Sequence, residues 1–122
     1  MTAETTPWIR SAFWTGRVRA GAETRFQKHM QEVLVPGLAA MPGVHGVYAL
    51  WPRNLEDSPP AIACQVLVTF ASRADLERML ASEERRQLRP QVAEAVSMFD
   101  GSISHIEFVA SAPPNPLLKS IP

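Results

Sequence analysis

Cysteine is almost absent from this sequence: Cys64 is the single one in 122 residues, so no disulfide can form within the chain. Net charge is absent as well, with 12 lysines and arginines set against 12 aspartates and glutamates. A balanced chain projects no long-range field toward nucleic acid or an anionic membrane, so neither is an expected partner. Long apolar runs are missing, and none reaches the roughly 20 residues of a bilayer-spanning helix. Met1 to Pro7 is polar and Arg10 interrupts the apolar residues after it, which is not the build of a secretory signal. A reduced, cytoplasmic setting is the expectation. His29, His45, His105 and Cys64 fall in separate segments without paired ligand spacing, so no metal is expected. No glycine-rich phosphate loop follows a strand and no serine sits in a nucleophile elbow. Nucleotide cofactors and covalent catalysis are therefore not expected, and the cofactor expectation is none.

What the sequence does have is a stretch around which the rest can be arranged. Ile62 to Phe70 is apolar on both alternating faces, which a strand tolerates only when each side of its sheet is covered. Cys64 lies inside it as a small buried hydrophobe. Helical spacing then begins at Ser72, whose hydroxyl is placed to cap a helix, with Leu76, Met79 and Leu80 as the buried stripe.

The remaining elements fall around that unit. Ile9 to Val18 alternates as a strand, with Ile9, Ser11 and Phe13 on one side and Arg10, Ala12 and Trp14 on the other. Phe26, Met30, Val33, Leu34, Leu38 and Met41 recur at helical spacing from about Ala22. Pro36 has no amide hydrogen and clashes with the carbonyl of Glu32, so this helix is expected to end or kink near Leu34. Val44 to Trp51 reads as a strand and Pro52 to Pro60 as an exposed connection. Ser82 to Arg86 reads as a charged break, followed by helical spacing across Pro90 as far as Phe99. Asp100-Gly101 reads as a turn and Ser102 to Val109 as a last, wetter strand.

The order strand, helix, strand, strand, helix, strand is the split βαβ pattern of an α+β, ferredoxin-like fold, with a four-stranded antiparallel sheet and its helices on one face. Phe13 and Tyr48 or their neighbours would lie on the uncovered face, so pairing of two sheets into a homodimer is expected. The division is a lead-in over 1–8, one domain over 9–110, and a proline-rich arm over 111–122 that rests on a partner subunit.

Three short pieces carry a resemblance: Val18-Arg-Ala-Gly21, Met41-Pro-Gly-Val-His-Gly46, and Phe70-Ala-Ser72 followed by Met79-Leu80-Ala-Ser82. Together they resemble the antibiotic biosynthesis monooxygenase family of dimeric α/β barrels, over Arg10 to Val109. EthD-like and stress-responsive barrel proteins share that architecture, and Val35-Pro36 is similar to the EthD pattern. The resemblance implies a ligand between sheet and helices, and either cofactor-free oxidation of aromatic polyketides or haem degradation. Haem-degrading members carry an asparagine, a tryptophan and a histidine where this sequence has Trp14, Met79 and Arg89. An arginine has no lone pair to offer iron, so haem degradation is not expected.

Trp14, Phe26, Met30 and Met79 are the candidate ligand-binding residues, Trp14 as a stacking wall and the others as apolar lining. Each has an alternative reading as packed core. Arg89 and His105 are the catalytic candidates, Arg89 to hold a carboxylate or enolate and His105 to move a proton. The alternatives are a solvated arginine face and an edge histidine that touches the partner. Two functions stand: a monooxygenase-like enzyme for a small aromatic or polyketide-like molecule, and a non-catalytic dimeric ligand-binding or structural module.

Overall fold

The computed structural model describes residues 7–111, so most of the lead-in and the arm over 112–122 lie outside the described residues. Strand β1 (Trp8–Val18) is the axis, starting one residue inside the expected lead-in. It is flanked by β3 (Ile62–Phe70) and β4 (Phe99–Val109), and β2 (Gly46–Leu50) pairs with the far edge of β3. The sheet order is β2-β3-β1-β4 and every pairing is antiparallel, the arrangement expected of the ferredoxin-like order.

Two helical layers cross one face of this sheet. The first runs through α1 (Glu23–His29), a π-helical turn (Met30–Leu34) and α2 (Val35–Ala39). The helix expected to end or kink near Leu34 therefore does not end there, and its path continues through the π turn into α2. A π turn is wider than an α turn, which gives the Pro36 ring room where an α ladder would drive it into the carbonyl of Glu32. The second layer is α3 (Arg73–Leu80), α4 (Glu83–Gln87) and α5 (Arg89–Ser97). Ser72 caps α3 by accepting from the Asp75 amide at 3.2 Å. The expected charged break after Leu80 is instead the short helix α4, because Ser82 accepts from the Arg85 amide at 3.1 Å and starts a new turn. Pro90 stands in the first turn of α5, where its missing donor costs nothing.

The core lies between sheet and helices. Phe26 is fully buried and meets Trp14 edge-on at 5.4 Å between centroids, while Phe99 closes on Trp14 at 5.3 Å. Cys64, Val66, Val68 and Phe70 supply the β3 side. Burial pushes the Cys64 thiol up to about 12, which keeps it an unreactive hydrophobe. The opposite face has no cover among the described residues. There Ile9 and Phe13 of β1 are partly buried and Ser11 is buried, accepting from the Gln65 side-chain amide at 3.2 Å, while Tyr48 is 57% exposed, Ile106 48% and Phe108 41%. Among the described residues no helix is long and apolar enough to cross a membrane.

The Asp100-Gly101 turn expected from sequence is absent, because β4 starts at Phe99 and both residues pair with β1. Two glycines make this possible. Gly16 and Gly101 face each other in the register, and a Cβ on Gly101 would lie 2.0 Å from the Thr15 carbonyl oxygen. The φ of Gly101, +152°, adds backbone strain for any other residue. Gly101→Ala is expected to lower unfolding free energy by about 2–4 kcal/mol in urea titration. Gly21→Ala, at φ +86° but in open space, is expected to cost only about 1 kcal/mol.

Candidate functional site

The inward side chains of three strands form a floor in three rows. Glu107, Arg10 and Val68 lie across from one another, then His105, Ala12 and Val66, then Ile103, Trp14 and Cys64. Ala12 is the small residue at the centre of that grid. With a methyl group where its neighbours carry larger side chains, the floor is hollow, and the helices above do not fill it.

The result is a cavity of about 540 Å³ between sheet and helices, within the usual range for a small-molecule site. Its roof on one side is Met30, Leu34, Leu38 and Met41, carried by the π turn, α2 and the segment after it. On the other side Met79, Leu88, Val92 and Val96 close it. Val92 and Val96 are exposed and line the mouth of the cavity. Gly37 sets the approach of the two layers, since a Cβ there would come within 2.7 Å of Leu88 Cδ1.

Five of the six residues singled out from the sequence line this one space: Trp14, Met30, Met79, Arg89 and His105. Phe26 does not. It lies one helical turn before Met30, but its ring is spent behind Trp14 on the aromatic cluster with Phe99 and Trp51, so it supports the wall without forming it. His105 shares the helix-facing row with Ala12 and lines the cavity from the edge strand, where it remains exposed. Arg89 is exposed at the mouth.

The polar lining is of one sign. Arg10, Arg85, Arg89 and His105 line the cavity, and among the described residues no acidic side chain does. Arg10 is held by Glu107, directly opposite on β4, at 3.0 Å. Arg86, next in sequence to Arg85, pairs outward with Glu83. Among the described residues neither Arg85 nor Arg89 has a carboxylate within ion-pair distance. Arg85 reaches only the Leu80 carbonyl, at a long 3.5 Å. Burial, then repulsion from Arg10 and Arg89, holds the Arg85 guanidinium below its ordinary proton affinity. His105 is pushed down from 6.5 by desolvation first, then by Arg10 and Arg85. Arg10, Arg85 and Ala12 were not singled out from the sequence. Arg10 shares an inward row with Trp14, and that alternation was the available signal.

Among the described residues no group of three or more histidine, cysteine, aspartate or glutamate side chains could hold a metal ion. The arrangement can enclose a flat apolar body and offer positive charge and one neutral base at one end.

His105 is expected to titrate below 6.5, by following its imidazole protons in NMR. The folded chain then binds fewer protons than the unfolded chain just below that pH. The stability contribution of His105 is therefore full above 6.5 and falls as the pH drops through the window down to its folded value. Arg85→Gln should move the titration upward by removing one repelling charge.

No protein-family model and no curated protein matches the sequence. Solved structures do match. An ethyl tert-butyl ether d (EthD) family protein from Bacillus halodurans superposes with a TM-score of 0.67 at 8% identity, over 86% of this chain and 99% of that one. SnoaB from Streptomyces nogalater, described as a cofactor-independent oxygenase, gives 0.58 at 15% identity over 91% and 99%. A dimeric protein of unknown function and ferredoxin-like fold from Bacteroides fragilis gives 0.60 at 11% over 85% and 96%. The likeness read from the short sequence pieces thus holds at the level of architecture: the chain has the ferredoxin-like fold shared by EthD, antibiotic biosynthesis monooxygenase and DABB-type proteins.

Proposed function

We propose that the chain is a small-molecule enzyme of the cofactor-independent oxygenase type, working on a flat, electron-rich aromatic or polyketide-like substrate held between sheet and helices. The observation that carries this reading is the apolar cavity of about 540 Å³ whose polar groups are all cationic or basic and gather at one end. SnoaB, with the same fold, is described as such an oxygenase.

The chemistry comes from the lining. An arginine stays protonated at neutral pH, so His105 is the lining group able to accept a proton from an activated phenol or methylene. Its depressed proton affinity keeps it neutral and ready to act as that base. The cationic end of the lining stabilises the carbanion or enolate that results, most strongly where apolar walls exclude water. The anion reduces dioxygen and forms a carbon–oxygen bond. Loss of water from the hydroperoxide leaves a carbonyl, so one oxygen atom enters the product and the other leaves as water. Trp14 and the methionines position the ring system and keep bulk solvent out.

A second reading, ligand binding without turnover, is favoured by the small number of groups that can move a proton: His105 is the single one with an ordinary pKa near neutrality. The two readings separate on one variant. In oxygen-electrode assays with anthrones and electron-rich phenols, His105→Asn is expected to lower kcat by about 100-fold or more with little change in binding. Ala12→Leu, which fills the floor, should abolish binding itself. Uptake that is unchanged in both variants removes this cavity as the site, and binding without uptake by the parent protein supports the module.

We infer further that the uncovered sheet face pairs with a second copy. Tyr48, Ile106 and Phe108 stand exposed around the half-buried Phe13 and Leu67, large apolar side chains of the kind that mark an interface. Sedimentation is expected to show a dimer for the parent chain and a monomer for Tyr48→Glu/Phe108→Glu, with a circular dichroism spectrum unchanged. A parent chain that sediments as a monomer at micromolar concentration ends this inference.

A further inference from the structure

The charge at the end of the cavity is not balanced by the protein. Arg10 has Glu107, and Arg86 has Glu83, but Arg85 and Arg89 face the cavity without a carboxylate partner among the described residues. They lie on successive short helices, α4 and α5, and Arg89 adds to the burial and the Arg10 charge that disfavour the charged form of Arg85. Two guanidiniums at the edge of an apolar space, with no counter-charge, leave the free protein in an electrostatically unfavourable state that a bound anion would relieve.

We propose that the ligand of this cavity carries a permanent carboxylate, clamped between Arg85 and Arg89, with its apolar ring system lying over Ala12 toward Trp14. This rests on the reading of the cavity as a ligand site and narrows the substrate class within it. Two observations favour a carboxylate over other anions. A phenol or activated methylene is neutral until His105 has acted, so it supplies nothing to offset the standing charge of the free site. A phosphate asks for many donors around a tetrahedral group, whereas no serine, threonine, asparagine or glutamine among the described residues lines the cavity. A guanidinium is planar and donates in a fork that matches a carboxylate. The clamp gives the reaction its orientation: with the acid fixed at the mouth, one edge of the ring is directed to the floor where His105 and Ala12 lie across from each other.

The test compares three probes of one shape, 2-naphthoate, 2-naphthamide and 2-naphthyl phosphate, by titration calorimetry against the full chain. The expected result is that naphthoate binds at least about tenfold more tightly than the neutral amide, equivalent to about 1.4 kcal/mol. That margin should shrink as sodium chloride is raised. In Arg85→Gln/Arg89→Gln it should vanish while the amide keeps its affinity, which also shows that the variant is folded. Arg89→Lys should retain part of the margin. Equal binding of acid and amide, a preference that survives the double variant, or phosphate binding more tightly than carboxylate each overturns the carboxylate clamp. Should none of the three probes bind, the clamp falls together with the ligand-site reading. Binding of the amide alone sinks the clamp and leaves that reading standing.

Discussion

A strand paired on both edges has two rows of side chains to dispose of, and the rest of this molecule depends on how β1 does so. One row, Arg10, Ala12 and Trp14, faces the helices and becomes the middle of a cavity floor. The other, Ile9, Ser11 and Phe13, lies on the face that no helix covers among the described residues, where the small Ser11 is buried by its neighbours in the sheet. The inner row is not uniformly apolar, so the helices cannot simply be pressed against it. An arginine at one end, a methyl group in the middle and an indole at the other make a charged corner, a hollow and a wall. The cavity is thus a property of three alternate residues on a single strand, and the helices only roof it.

Electrostatics acts on that frame in a graded way. Arg10 is neutralised by its cross-strand partner and holds the edge strand in place. Arg85, partly buried on a one-turn helix, is the charge most disturbed by its neighbours. His105, on the edge strand, has its proton affinity lowered by desolvation first and then by repulsion from these two cations. The same arrangement sets one imidazole beside guanidiniums of which Arg10 alone has a carboxylate partner among the described residues. Such pre-set polarity costs stability in the free protein and lowers the cost of forming charge in the bound state.

Much of this is readable from the chain alone, and the failures have physical causes. Trp14, Met30 and Met79 come from periodicity, because alternation and helical spacing determine which side chains face inward. Phe26 obeys the same spacing and yet is not part of the wall, since three other aromatic rings compete for it. Spacing gives the face of a helix but not the depth at which a side chain is met. Ala12 gives no signal because a hollow is made by the lack of bulk, and a lone alanine carries no pattern. Arg85 sits in what reads as a charged break. Its meaning depends on Arg10 and Arg89, brought together only by the tertiary fold. Asp100-Gly101 looks like a turn because that pair favours one locally, but the facing Gly16 turns the same residues into the close approach of two strands.

The π turn at Met30–Leu34 has a consequence for how this pocket can change over evolutionary time. Such a turn holds one residue more than an α turn, and each residue swings the chain by about 100° around the axis. The direction in which Leu38 and Met41 look is thus determined by a count of residues, not by the identity of any of them. Loss of a single residue there would rotate part of the roof away from the floor and leave the sheet intact. The pocket's shape is, in effect, geared to the length of one coil, so that indels and not only substitutions are a route to new ligands on this scaffold.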